Sequence, residues 1–160
     1  MLLNASQLLP LLQTNGKGSP AQVGFDLTVC EIKRIGGGVV AQDKTTIHPY
    51  ELTMPSMGPT GKLMYSLPAG AYSLTFDQGI KLPSDKTAFI VHRSSIVRCG
   101  SFITSGIFDP GFKTEQLGAV LFVVEPLLIE KGARVAQLFV HENYEAELYA
   151  GQWAGSKDYK

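Results

Sequence analysis

The stretch His92-Arg93-Ser94-Ser95-Ile96-Val97-Arg98-Cys99-Gly100 follows an apolar run and gathers two guanidinium groups, two hydroxyls and the N–H groups of a turn. That is an inventory for binding phosphate. Guanidinium forks make paired, charge-assisted bonds to phosphate oxygens, and hydroxyls and amides fill the remaining acceptor sites without adding net charge. The plain alternative is a strand end with ordinary surface arginines, since arginine and serine are mostly exposed in any fold. A second segment, Ser105-Gly106-Ile107-Phe108-Asp109-Pro110-Gly111-Phe112, pins an aspartate between an apolar pair and a Pro-Gly turn. General-base work needs a carboxylate within hydrogen-bond reach of the nucleophile, and a rigid turn limits its wandering. An Asp before Pro-Gly can equally do no more than open a turn.

Two further segments are weaker taken singly. Glu130-Lys131-Gly132-Ala133-Arg134-Val135-Ala136-Gln137-Leu138 is a turn running into a strand, and Val23-Gly24-Phe25-Asp26-Leu27 carries an acidic residue at an apolar strand start. Asp26 and Gln137 each read as readily as strand residues facing water.

The elements that must position these groups are short. Glycine and proline recur at close intervals, at Gly36-Gly37-Gly38, Pro49, Pro55, Pro59, Pro68, Gly79, Pro83, Pro110 and Pro126, and cut the chain into pieces that suit strands better than helices. Between the breaks lie runs rich in β-branched and aromatic residues: Phe25 to Cys30, Ala88 to Val91, Ala119 to Val124 and Arg134 to Val140. Many short strands with regular turns predict an all-β sandwich or jelly-roll barrel. One short helix at most is expected, over Ser6 to Gln13, capped by Asn4 or Ser6 and stopped by Asn15-Gly16, with Pro10 as an obstacle outside the first turn.

Composition narrows the functions. With 160 residues, 44% of them hydrophobic, the chain can bury one core and has little material for a second domain. Lysine plus arginine equal aspartate plus glutamate at 14 each, so a polyanionic small ligand needs a local arginine cluster, and no basic excess points to nucleic acid. No apolar stretch approaches the roughly 20 residues of a membrane span, and Met1 to Gln13 lacks a basic leader, so a cytoplasmic, unprocessed protein is expected. Cys30 and Cys99 cannot build a disulfide framework and lack metal-site spacing.

Taken in order, Gly24-Phe25-Asp26-Leu27, Arg93-Ser94-Ser95-Ile96-Val97-Arg98, Gly106 to Phe112 and Gly132-Ala133-Arg134-Val135-Ala136-Gln137-Leu138 resemble the successive motifs of the dUTPase and dCTP deaminase superfamily. The phrase Gly79-Ile80-Lys81-Leu82-Pro83 is similar to the segment preceding the arginine-serine motif in that superfamily. The resemblance runs from about Ala21 to Ser156. It implies a distorted jelly-roll β-barrel of the dUTPase type over residues 1–149, a mobile C-terminal arm over 150–160, a homotrimer, and active sites at subunit junctions. It further implies Mg²⁺ bound through the nucleotide phosphates with no direct protein ligand.

The superfamily's two chemistries send water to different atoms, the α-phosphorus of dUTP or C4 of cytosine. The deaminase branch carries a glutamate on the strand after the aspartate turn, where it shuttles protons. Here that strand reads Gly118-Ala119-Val120-Leu121-Phe122-Val123-Val124, and either alignment puts Ala119 or Val123 at the glutamate's place. A hydrocarbon cannot shuttle a proton. Glu115 is discounted because it lies in an inserted turn, Lys113 to Leu117, and Glu125 because it sits at the strand end beside Pro126, where solvation is the ordinary explanation. Loss of the glutamate together with a deaminase-like Arg93-Ser94-Ser95 and the tail Tyr149-Ala150-Gly151-Gln152-Trp153-Ala154-Gly155-Ser156 resembles archaeal-type dUTPases.

By that resemblance, Asp109 orients or deprotonates the water and contacts the deoxyribose 3′-hydroxyl, with Arg98 as a second catalytic group. Arg93, Ser94, Ser95, Arg98 and Gln137 hold the phosphates. Backbone groups from Thr104 through Ser105, Gly106 and Ile107 to Phe108 read uracil, and Phe112 lies against the deoxyribose. Trp153 folds over the base or ribose, or simply docks the tail, while Gly155, Ser156 and Lys157 cover the phosphates. The expected reaction is dUTP to dUMP and pyrophosphate. Its rivals are a dCTP deaminase, a pyrophosphatase for another deoxynucleotide, and a non-catalytic nucleotide-sensing barrel.

Overall fold

Six antiparallel strands pair edge to edge until the last meets the first: β1 (Phe25–Arg34), β2 (Gly70–Phe76), β3 (Lys86–His92), β4 (Ser101–Thr104), β5 (Gly118–Val123) and β6 (Arg134–Glu142). The order around the ring is β6-β3-β4-β5-β2-β1, and β1 pairs with β6 to close it. Closure removes the exposed edges that an open sheet would leave. This computed structural model describes residues 1–143. The expected all-β barrel is what forms, and the four runs named from the sequence are the hearts of β1, β3, β5 and β6.

Alternation decides which side chains fill the ring. On β5, Ala119, Leu121 and Val123 are buried while Phe122 is exposed. On β4, Ser101 and Ile103 are buried while Phe102 and Thr104 are exposed. Leu27, Val29, Leu74, Ile90, Leu138 and Val140 complete the interior from the other strands. At roughly 25 cal/mol per Å² of apolar surface, burying such a side chain contributes about 1.5–3 kcal/mol.

The N-terminal helix is shorter than the sequence suggests. It spans Ala5–Leu8, with Asn4 and Gln7 forming a reciprocal capping box. Pro10 lacks the N–H that would continue the ladder, so Leu9–Leu11 tightens into a 3₁₀ turn and Leu12–Gln13 is extended, pairing with Ile80 and Gly79. Lys113–Thr114 joins the other side of Gly79–Lys81, so the segment read as an inserted turn is in part a strand.

The chain after Leu12–Gln13 matters because it walls the pocket described below. Lys17 Nζ lies 2.6 Å from Asp77 Oδ1, Asn15 Nδ2 donates to the Asp77 carbonyl, and the Thr28 hydroxyl of β1 donates to Asp77 Oδ2. Ser19–Pro20 then pairs with Asp26 and Phe25 of β1. Between them Gly24 takes φ +81°, and a Cβ there would collide with the Leu138 carbonyl. Only glycine lets the chain pass that close to β6 before Asp26.

Candidate functional site

Four adjacent strands put chemistry on one row of the barrel's outer surface. Asp26 of β1 pairs with Gln137 of β6, Gln137 with Val91 of β3, and Val91 with Thr104 of β4. Residues paired across strands share a face, and neighbouring strands lie about 4.8 Å apart, so Gln137 and Thr104 flank Val91 at roughly 10 Å from each other. At one end of this row opens a pocket of about 690 Å³ lined by Pro20, Ala21, Gln22, Asp26, His92, Arg93, Ser94 and Gln137. Its size lies within the ~300–1,000 Å³ range of small-molecule sites.

The expected phosphate residues divide at this pocket. Arg93 occupies the N-cap position of the short helix Ser94–Arg98, its backbone N–H bonded to the Val135 carbonyl at 3.0 Å. Its Nε stands 3.2 Å from Asp26 Oδ2, and its Nη1 donates to the Arg134 carbonyl at 3.3 Å. Ser94 follows it into the lining. Ser95 and Arg98 are exposed on the short helix and do not line the pocket; Arg98 has no ion-pair partner among the described residues. Gln137 does line it, with its Nε2 donating to the Val23 carbonyl at 2.9 Å.

Asp26, Arg134 and His92 belong to the same neighbourhood but were not picked out as site residues. Asp26 is 6% exposed, and its Oδ2 also receives Arg134 Nη1 at 3.5 Å. His92 Nδ1 lies 3.2 Å from the Ile103 carbonyl, which can only accept, so Nδ1 carries the hydrogen. The signal for Asp26 was present in Gly24-Phe25-Asp26-Leu27, where a carboxylate interrupts an apolar strand. Pro20 to Gln22 carries no periodicity that would have flagged it.

The segment expected to read a base departs from regular pairing. Thr104 pairs with Val91 and Phe108 bridges Ala88, so four steps on one side oppose three on the other. That mismatch is a one-residue bulge, a device that takes backbone groups out of the ladder and re-aims them. Ser105 patches the gap: its Oγ accepts the Ile90 N–H at 2.9 Å and donates to the Gly106 carbonyl at 2.7 Å. Ile107 is 70% exposed.

Asp109 lies beyond the bulge. Its carbonyl accepts the Phe112 N–H at 3.0 Å, and Gly111 at φ +80° follows Pro110, as a type II turn requires. The carboxylate is exposed and outside the pocket lining. Phe112 packs inward, its ring 5.0 Å from that of Phe108. Ala88, opposite Phe108, is five residues before Arg93, so the aspartate turn sits about 16 Å along the barrel from Arg93. One chain therefore brings Arg93, Ser94 and Gln137 together and leaves Asp109 apart. Trp153, Gly155, Ser156 and Lys157 lie outside the described residues.

Elsewhere, burial first, and then the charges of Asp77 and Glu31, push the Cys30 thiol up to about 11, so it is no nucleophile near neutrality. Neither cysteine is in a disulfide. Among the described residues no three His, Cys, Asp or Glu converge on a metal position, and no helix is long and apolar enough to cross a membrane.

The profile of a family described as dCTP deaminase-like matches residues 12–143. A probable deoxyuridine 5′-triphosphate nucleotidohydrolase of Aeropyrum pernix is 30% identical over 155 residues, 92% of each chain. A dCTP deaminase of Sulfurisphaera tokodaii is 36% identical over 90 residues, 52% of this chain and 47% of its own. The crystal structure of 2′-deoxycytidine 5′-triphosphate deaminase from Agrobacterium tumefaciens shares the fold, with a TM-score of 0.66 at 14% identity over 89% of this chain. The chain spans about half of that protein, 48% of its length.

Proposed function

This chain belongs to the dCTP deaminase-like family, and from that premise we propose that it is a dUTP diphosphatase, converting dUTP to dUMP and pyrophosphate. The observation that carries the choice between the family's chemistries is the interior of β5. Ala119 and Val123, at the two places the deaminase glutamate could occupy, are 3% and 4% exposed and offer only hydrocarbon. Glu115 and Glu125 are both exposed to solvent off that strand. A buried proton shuttle for loss of ammonia has no group to run through. Hydrolysis at phosphorus needs none there. The Aeropyrum relative, matched over nearly its whole length, carries the nucleotidohydrolase name and supports the same reading.

In the proposed reaction a water attacks the α-phosphorus, the bond to the bridging oxygen of the β-phosphate breaks, and pyrophosphate leaves. Asp109 orients that water and accepts its proton, and its turn fixes the backbone from which the carboxylate acts. Arg93, Ser94 and Gln137 hold the triphosphate at the pocket, with Ser95 and Arg98 as exposed donors on the adjoining helix. Positioning and charge stabilisation account for most of the catalysis in such transfers. The donor set fits a phosphate-carried cation: arginine, hydroxyl and amide donors face the pocket, and Asp26 is already taken by guanidinium groups. Bound through the phosphates, Mg²⁺ would supply neutralisation of charge on the polyphosphate.

The roughly 16 Å between Arg93 and the aspartate turn supports a site shared between subunits of a homotrimer, with Asp109 of one chain meeting Arg93 of another. The barrel domain over 1–149, the covering arm over 150–160 with Trp153 and Lys157, and a cytoplasmic location are parts of the same proposal. The two free thiols support the last of these.

Incubation of the purified protein with dUTP or dCTP in the presence of Mg²⁺ sorts the readings by product. Pyrophosphate and dUMP from dUTP are expected. Ammonia from dCTP would assign the deaminase reaction, and no turnover of either would point to a non-catalytic barrel.

A further inference from the structure

One titratable side chain in the lining of the Arg93 pocket has no part in the reaction proposed above. His92 ends β3 and is partly exposed there. Its Nδ1 lies 3.2 Å from the Ile103 carbonyl of β4. A carbonyl only accepts, so Nδ1 keeps its hydrogen in either charge state, and the proton that comes and goes belongs to Nε2. Among the described residues Nε2 has no hydrogen-bond partner. The strand order decides which way this atom is left. β4 flanks β3 on one side and β6 on the other, with β1 beyond β6, and it is β1 and β6 that bring Asp26 and Gln137 to the pocket. Fixing Nδ1 on β4 therefore leaves Nε2 for the pocket.

We propose that His92 is a further phosphate-binding residue, whose Nε2 takes up a proton as the triphosphate arrives and donates that hydrogen in a charge-assisted bond to a phosphate oxygen. This rests on the phosphate site proposed above. The charges around the ring are few. Asp26 stands on β1, Arg93 at the end of β3 and Arg134 on β6, with Asp26 Oδ2 receiving both guanidinium groups. Ser101–Thr104 of β4 and the wall over 19–24 carry no charged side chain, and Arg98 of the short helix is exposed outside the lining. A polyphosphate brings several negative charges to this place at once, and an anion within reach favours imidazolium over imidazole. Ligand and proton then strengthen each other's binding by the same factor, as linkage requires. Part of the grip therefore weakens as pH rises through about 5 to 8, the range in which a histidine loses its charge, whereas the part due to arginine does not.

Pyrophosphate titrates in the same range, so the test compares two proteins at each pH, and the ligand's own protonation cancels in their ratio. His92→Asn is the variant to use. Its amide nitrogen takes the place of Nδ1 and can keep the bond to the Ile103 carbonyl, while nothing replaces Nε2. By calorimetry, wild type should bind pyrophosphate about tenfold more tightly than His92→Asn at pH 6 and within about twofold of it at pH 8. Because a change at a strand end can loosen the barrel, the second arm uses the wild-type protein alone. In nitrogen NMR of its histidine rings at pH 7, saturating pyrophosphate should move Nε2 of His92 toward the position of a protonated nitrogen and leave Nδ1 hydrogen-bearing. A ratio that is the same at both pH values in a folded His92→Asn protein, or an Nε2 resonance that pyrophosphate leaves in place, would overturn the inference and reduce His92 to a tie between β3 and β4. A wild-type protein that binds no pyrophosphate at either pH would instead fell the phosphate site beneath it.

Discussion

The Arg93 pocket and the Asp109 turn are built in opposite ways. Around Arg93, side chains from β1, the β3 end and β6 restrain one another through charge: a buried carboxylate, two guanidinium groups and a carbonyl in a single cluster. Around Asp109 no charged side chain of the described residues provides the restraint: a Pro-Gly turn is closed by its own backbone hydrogen bond and flanked by the packed rings of Phe108 and Phe112, while the carboxylate stands in solvent. The first arrangement suits a grip that must be ready before substrate arrives. The second suits a group whose partners come from elsewhere, since a free carboxylate can accept a water and a sugar hydroxyl only if nothing in its own chain has claimed it. The two differ in what a mutation should do.

The largest effect is expected at the turn. Asp109→Asn should lower turnover of dUTP by about a hundredfold or more, the scale of a positioned general base, and leave pyrophosphate affinity in calorimetry unchanged. A full rate would reduce Asp109 to a turn residue and collapse the contrast. Truncation after Tyr149 comes next: turnover should fall about tenfold, with less change in affinity, because in the proposed function Arg93 and Gln137 supply the grip. Equal turnover in both forms would show the arm to be dispensable.

A smaller effect is expected between the two regions. Ser105→Ala deprives the Ile90 N–H of its acceptor in a partly buried place, at a cost of about 1–3 kcal/mol. The melting temperature should drop, and kcat/KM should drop with it if the bulge presents the base-reading amides. An unchanged melting temperature would mean that water replaces the hydroxyl and that the bulge is not held by this bond. The smallest concerns neither region and serves as a reference for both. Iodoacetamide at pH 8 should label exposed Cys99 and spare Cys30, whose thiol burial pushes up to about 11. Equal labelling would place Cys30 in a more open barrel than described.

Much of this was legible before any coordinates. β-branched runs between Pro and Gly breaks located β1, β3, β5 and β6, because alternation and turn chemistry are local properties. Gly70–Phe76 was not singled out: its Gly, Ala and Ser positions dilute the apolar signal that neighbours in the ring supply. The helix begins at Ala5, one residue before the expected Ser6, where Asn4 and Gln7 form a local cap, and ends at Leu8, short of the expected Gln13, because pairing with Gly79 and Ile80 draws Leu12–Gln13 into a strand. In the site, the motif order identified Arg93, Ser94 and Gln137 as neighbours. That Asp26 binds Arg93 and Arg134 was not readable, because a contact across 67 or 108 residues is set by barrel register rather than by either segment. The separation of Asp109 from Arg93 was hidden for the same reason, although the resemblance anticipated a shared site.

The account turns on these two regions meeting between chains, and subunit mixing tests that directly. Asp109→Asn and Arg93→Gln proteins, each nearly inactive alone, are denatured together, refolded in equal amounts and assayed for pyrophosphate release from dUTP. If each site takes its arginine from one chain and its aspartate from another, random mixing should restore about a quarter of wild-type activity. A mixture no more active than its parents, from two variants that each refold, would place both residues in one chain's site and contradict the account.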